Sequence, residues 1–224
     1  MTYGGSAPAS DVTFSGSNVT DNGDKTATIP STVVFDSEGK FTLQVTSTYA
    51  EANVNINVTE GGTSADTVTD VTWNPGGLDH YTATASDYGP TAGGSVTITL
   101  VARDVYGNAI PNANPSGAIT CTASGADDGT RITWGGDATD NGDGTGTIPD
   151  TTDADGNGEW SLTLSYEVAG DEVVPDFSGG GVSGSIDAGI TWHAINSLSS
   201  FVVEASPTDL TAGQASTITI TARD

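Results

Sequence analysis

One cysteine, five Lys and Arg together, two His and one Met are what this chain of 224 residues has least of. With Cys121 alone, no disulfide can form inside a domain. That leaves either a small buried strand residue or a bridge to another molecule. Five basic residues against 29 acidic ones give a net charge of -24. Phosphate neutralisation needs clustered Lys and Arg, so nucleic acid is excluded as a partner. The same acidity opposes docking on an anionic membrane surface. No run approaches the ~18 consecutive apolar residues of a membrane-spanning helix, so no membrane insertion is expected. The opening Met-Thr-Tyr-Gly-Gly is not a charged-then-apolar leader, so a secreted form would be a mature piece or an excerpt. His80 and His193 have no neighbouring Cys or His pattern, which argues against zinc and against a Ser-His-Asp arrangement. No glycine-rich loop stands between a strand and a helix, so nucleotide binding is unsupported. Enzymatic activity is not expected.

What is plentiful is Gly (30 residues), with Thr, Ser, Asp, Asn and Val, and this balance suits pleated strands joined by tight turns. The hydrophobic fraction of 35% is low but compatible with thin sandwich cores. Apolar residues alternate cleanly. In SVTITLVA (95–102), Val96, Ile98, Leu100 and Ala102 share a face, and so do Trp160, Leu162, Leu164 and Tyr166. Ile119, Cys121 and Ala123 form a weaker run of the same kind, which places Cys121 on an apolar face. Gly/Asp/Asn/Pro clusters at 104–112, 139–144 and 153–158 punctuate these runs. About seven short strands in ~120 residues describe a β-sandwich.

The chain also repeats itself. TDNGDKTATIP (20–30) returns as TDNGDGTGTIP at 139–149, 119 residues later. At the same offset Phe41, Leu43 and Val45 fall on Trp160, Leu162 and Leu164, and Trp73 falls on Trp192. TAGGSVTITLVARD (91–104) returns as TAGQASTITITARD at 211–224, an offset of 120. The expected division is therefore a partial domain over 1–73 lacking its first strands, a complete domain over 79–192, and the opening strands of a next or neighbouring domain over 198–224. Joining Asp224 to Met1 would give ARD-MTYGG, with Tyr3-Gly4 near the place of Tyr106-Gly107 in ARD-VYGNA. Two arrangements follow: an excerpt from a long array, or separate chains polymerising head to tail as the terminal strands of one complete the sandwich of the next. In the second, the assembly strands carry Val202, Thr217, Ile218, Thr219 and Ile220.

The strand-turn ITLVARDVYGNAI (98–110) resembles the D-x-x-G-N turn of bacterial invasin/intimin-type immunoglobulin-like domains, and TDADGNGEWSLTL (152–164) resembles their later turn and strand. DNGDGTGTIP (140–149) and ARDVYGN are also similar to filamin-type repeats. The resemblance implies an all-β fold of tandem immunoglobulin-like β-sandwiches. It further implies an extracellular or cell-surface stalk, spacer, adhesive tip or crosslinking rod, whose partners are neighbouring copies or adjacent repeats.

Three sets of residues are candidate sites. Asp153, Asp155 and Asn157 match the opening D-x-D-x-N-G of a calcium loop, although Leu164 stands where the closing bidentate acid belongs. A hairpin turn is the alternative, and calcium is the one possible cofactor. Asp21, Asp24, Asp140 and Asp143 are read in the same two ways. Asn18 and Asn57 head N-x-Thr sequons. Trp73 and Trp192 are either last-strand core or packing between adjacent domains. The functional expectation is a structural repeat of a fibre, stalk or adhesin. The alternatives are a calcium-dependent adhesive module and a filamin-like crosslinker.

Overall fold

The computed structural model describes residues 1–60, 63–64, 67–194 and 200–223. It is all-β, with two compact units. Unit 1 comprises Met1–His80 and Ala102–Pro111, and unit 2 comprises Tyr81–Val101 and Asn112–Asp224.

Unit 1 contains β1 (Thr2–Tyr3), β2 (Val12–Ser15), β3 (Thr20–Asp21), β4 (Ala27–Thr28), β5 (Gln44–Ser47), β6 (Glu51–Asn57), β7 (Thr59–Glu60), β8 (Thr63–Ser64) and β9 (Val68–Trp73). β1, β6 and β9 form one sheet in that order, while β2–β5, β3–β4 and β7–β8 are separate antiparallel pairs. Its core gathers Tyr3, Ala7, Val12, Phe14, Ala27, Val54 and Ile56.

Unit 2 contains all but the first residue of β10 (His80–Ala85), all but the last two of β11 (Ser95–Arg103), and β12 (Ile119–Ser124), β13 (Ile132–Gly136), β14 (Thr139–Asp140), β15 (Gly146–Ile148), β16 (Glu159–Tyr166), β17 (Glu172–Gly179), β18 (Val182–Ser185) and β19 (Ile190–Thr191). One sheet runs β10-β11-β16-β13 and the other β14-β15-β12-β17-β18, with β19 also on β17. With the β14–β15 hairpin set aside, these are the first, second, fifth and fourth strands facing the third, sixth and seventh. That is the order of a constant-type immunoglobulin sandwich. Period-two alternation puts Val96, Ile98, Leu100, Trp160, Leu162, Leu164 and Tyr166 inside. The large rings meet edge to face: Trp134 with Phe177 across the two sheets (centroids 6.1 Å) and Tyr166 with Trp192 (5.9 Å). Each buried indole N–H has an acceptor, Trp134 donating to the Gly144 carbonyl (3.0 Å) and Trp160 to that of Thr152 (2.9 Å).

The repeat carries a compensation. A Cβ on Gly146 would lie 2.7 Å from Cγ of Trp134, so that strand position must be glycine. Its counterpart in unit 1 is Ala27, and there the smaller Phe14 takes the place of Trp134. One side chain grows where its neighbour shrinks, as constant packing density requires.

The ladders of the units correspond in part. β1–β6 pairs Tyr3 with Ile56 as β12–β17 pairs Ala123 with Pro175. Tyr3 therefore occupies the Ala123 position, and the expected placement of Tyr3 near Tyr106 does not hold. Tyr3 is 2% exposed in the core, whereas Tyr106 is 65% exposed in a turn. A shared Tyr-Gly pair is too short a match to outweigh the strand pairing.

The last element in sequence is an antiparallel hairpin of unit 2, β20 (Ser200–Ser206) with β21 (Thr217–Arg223). All fourteen of its residues are exposed.

Candidate functional site

Several of the acidic residues cap turns. Asp104, Asp155 and Asp36 each begin the same five-residue turn, D-x-x-G-x. The Oδ1 of Asp104 accepts from the N–H of Tyr106 and of Asn108 (both 2.9 Å). That of Asp155 accepts from Asn157 (2.7 Å) and Glu159 (3.0 Å), and that of Asp36 from Glu38 (2.9 Å) and Lys40 (2.8 Å). The fourth residue is left-handed in each, with φ of 83° at Gly107, 80° at Gly158 and 75° at Gly39, which glycine adopts at least cost. The motif that suggests a calcium loop is thus one of three copies of a carboxylate-capped turn. Within it Asp153 accepts a hydrogen bond from the Asn114 amide, and the Asn157 amide donates to Asp155 (3.3 Å). Hydrogen bonds from Glu159 and Asn157 N–H groups hold the Asp155 carboxyl below its ordinary range. Among the described residues, no group of three or more His, Cys, Asp or Glu is placed to hold a metal ion.

Asp140 and Asp21 accept from the N–H of Gly142 and Gly23, and Asp143 and Asp24 from Thr145 and Thr26, so the two repeated hairpins are built alike. Asn18 is exposed with φ of 61°. Asn57 lies in β6, where its Oδ1 accepts from the Thr67 hydroxyl (2.8 Å). His80 lies 2.9 Å from Asp79, and the His193 backbone bonds to Pro90 and Ala92. Cys121 is a free, buried thiol whose pKa desolvation pushes up to about 12.

Two carboxylates do structural work that the sequence did not show: Glu51 carried no signal beyond its acidity, and Asp104 none beyond its place at the head of the D-x-x-G-N turn. Asp104, 1% exposed, also accepts from Gly76 N–H (2.8 Å) and the Asn108 amide (2.9 Å). Asn108 in turn donates to the Thr48 carbonyl and accepts from Ala50 N–H. Glu51 accepts from Tyr3 hydroxyl, Ser6 N–H and hydroxyl, and Ala7 N–H, fastening the segment after β1 to β6.

The feature that stands apart is an uncovered apolar surface in unit 1. β5 pairs with β2 and with no other described strand. In unit 2 the corresponding β16 is paired on both sides, with β13 and β11. The difference shows in strand length. β13 pairs residues 162–166 of β16, so 159–161 are strand only because β11 pairs them. Residues 40–42, their counterparts, are not strand at all. A groove of about 400 Å³ opens there, lined by Phe41, Leu43, Val45, Val71 and Trp73 among others. These five are half-buried, while their equivalents Trp160, Leu162, Leu164, Ile190 and Trp192 are all 0% exposed.

The β20–β21 hairpin has the converse shape. Directly opposed residues of an antiparallel pair share a face. The register therefore puts Phe201, Val203, Ala205, Ile218, Ile220 and Ala222 on one side. Thr217, Thr219, Thr221, Glu204 and Val202 take the other. Of the residues expected from sequence to drive assembly, Ile218 and Ile220 lie on the apolar face, whereas Val202 lies opposite it. Phe201 and Val203 are the apolar-face residues that the sequence alone did not single out.

No protein-family model matches the chain, and no curated protein matches it. Among solved structures it is similar to the Escherichia coli adhesin FdeC, with 23% identity, 100% of this chain and 61% of that one covered, and a TM-score of 0.40. It is also similar to the Yersinia pseudotuberculosis adhesin InvE (14% identity, 88% and 55% covered, TM-score 0.33). A third likeness is to a β-glycosidase from Bacteroides vulgatus (14% identity, 66% and 18% covered, TM-score 0.37). The chain spans less than two thirds of each of these structures, and at these scores the likenesses assign no function.

Proposed function

We propose that this chain is a structural repeat module of an extracellular fibre, stalk or adhesin, and that its copies join head to tail by strand complementation. The supporting observation is that one chain carries two unmatched parts: an immunoglobulin-like unit with an open strand edge and uncovered core, and a hairpin with a bare apolar face. An open edge with half a core is an adhesive surface, because both its backbone groups and its side chains lack partners. The function is mechanical. Each sandwich buries its core once its strands are complete, and the inserted strands carry load along the sheet from one copy to the next. In a longer chain, the same two strands would come from a preceding repeat. The net charge of -24 favours solubility and opposes sideways clumping, which suits an end-to-end assembly.

The test is size-exclusion chromatography with light scattering on the full chain over a range of concentrations, with electron microscopy of the same material. A mass that climbs in whole-chain steps and beaded rods are expected. A stable, strictly monomeric protein at all concentrations overturns head-to-tail assembly.

A further inference from the structure

We infer that the acceptor is the open edge of β5 and that β21 of a second copy lies antiparallel along it, with Thr217 opposite Gln44, Thr219 opposite Thr42 and Thr221 opposite Lys40. This rests on the head-to-tail assembly proposed above and specifies which strand meets which edge, and in what register.

The register comes from the complete unit. There β11 lies between β10 and β16. Thr97 stands opposite Thr163, Thr99 opposite Ser161 and Val101 opposite Glu159. β21 repeats β11 at an offset of 120, and residues 40–46 repeat 159–165 at an offset of 119. Carrying each pair across gives the register stated. β20 then sits outside β21 as β10 sits outside β11, and the completed sheet runs β20-β21-β5-β2.

The side chains agree with this placement. The buried residues of β10 and β11 include Tyr81, Ala83, Ile98 and Leu100. Their counterparts are Phe201, Val203, Ile218 and Ile220, which are all on the apolar face of the hairpin and all exposed. Seated in this register, they cover the groove formed by Phe41, Leu43, Val45, Val71 and Trp73. A slip of one residue would turn Thr217 and Thr219 into that groove and Ile218 and Ile220 into water. A slip of two keeps the faces but misplaces the hairpin along the edge, so only a measurement of register separates it from the arrangement inferred. The non-strand stretch 40–42 supplies a second mark, since its counterpart is strand only where β11 pairs it.

Cysteine pairs test the register, because a disulfide forms only between Cα atoms closer than about 7 Å. Cys121 is fully buried and stays out of the exchange. Under mild oxidation, Thr42→Cys and Thr219→Cys single variants mixed together should yield one covalent dimer. The double variant should yield a ladder of covalent oligomers. The pair Thr42→Cys with Thr217→Cys, offset by two residues, should stay uncrosslinked. Hydrogen exchange of the unmodified chain should slow at residues 40–42 on assembly. Ile218→Asp with Ile220→Asp should abolish assembly while leaving unit 2 folded, since both side chains are exposed. Assembly by light scattering with crosslinks only in the offset pair, or in neither, overturns the register and leaves head-to-tail assembly standing. A covalently closed monomer from the double variant overturns the second copy as occupant. Absence of any assembly overturns both proposals.

Discussion

Asp104 and Glu51 are single carboxylates that each satisfy several backbone N–H groups at once. Removing such an acceptor leaves those groups without partners, at a cost of about 1–3 kcal/mol each where they are buried. Asp104→Ala should therefore lower the stability of unit 1 by a few kcal/mol, read by chemical denaturation. Asp155→Ala, in an exposed copy of the same turn, should cost distinctly less. Both carboxylates also set a pH dependence. For Asp104, burial pushes the pKa up, but the bonds from Asn108, Gly76 and Tyr106 outweigh it and the net direction is down from 3.8. For Glu51, burial likewise raises it and the bonds from Tyr3, Ser6 and Ala7 bring it below 4.5. A folded-state pKa below the unfolded one contributes stability that is complete above the unfolded value and lost as pH falls through the folded one. These two groups should leave the melting temperature of unit 1 flat above pH 4.5 and lower it progressively below pH 3.8, as thermal melts across that range would record.

At the scale of the element, β5 and β16 are the same strand in two states. Both follow a D-x-x-G-x turn, both alternate apolar and polar residues, and both have a Trp downstream that packs toward them. β16 runs eight residues and β5 four, because a strand needs a partner for each stretch of backbone and β5 has one on a single side. The consequence falls on the two equivalent tryptophans. Trp192 is fully buried, so Trp192→Ala should cost about 3–5 kcal/mol. Trp73 keeps part of its surface in water, so Trp73→Ala should cost roughly half that in the dissociated chain. Denaturant titrations of the two variants should show this gap below the assembly concentration and see it narrow above it.

At the scale of the whole molecule, the net charge of -24 sets a condition on assembly. Copies of so acidic a chain repel one another, and the repulsion is screened over about 10 Å at 0.1 M salt and about 3 Å at 1 M. Assembly should therefore strengthen as salt rises, with apolar burial left as the main term. Light scattering across a sodium chloride series is expected to show mass increasing with ionic strength. An interface held mainly by ion pairs would give the reverse.

Period-two alternation was legible wherever a strand has one face inside: β11, β16 and the run around Cys121 can be read directly, because a two-residue period and burial on one side are the same fact. The internal repeat was legible too, and with it the pairing of Trp73 with Trp192. The function of the acidic motif at 153–158 was not decided by its letters, since alternate oxygens around a glycine serve a hairpin as well as a cation. Only the backbone geometry shows Asp155 bonded to its own turn. Tyr3 was misplaced because a two-residue match carries less information than a ladder of strand hydrogen bonds. Val202 was read only as part of an assembly strand, and the pairing of β20 with β21 sets it on the face opposite Phe201 and Val203. By itself the sequence determined that this is an all-β, strongly acidic, repeated chain, because those properties belong to composition and local period. Which edge lies open and which face lies bare was decided only by the tertiary structure, because each depends on the strand that does or does not lie alongside.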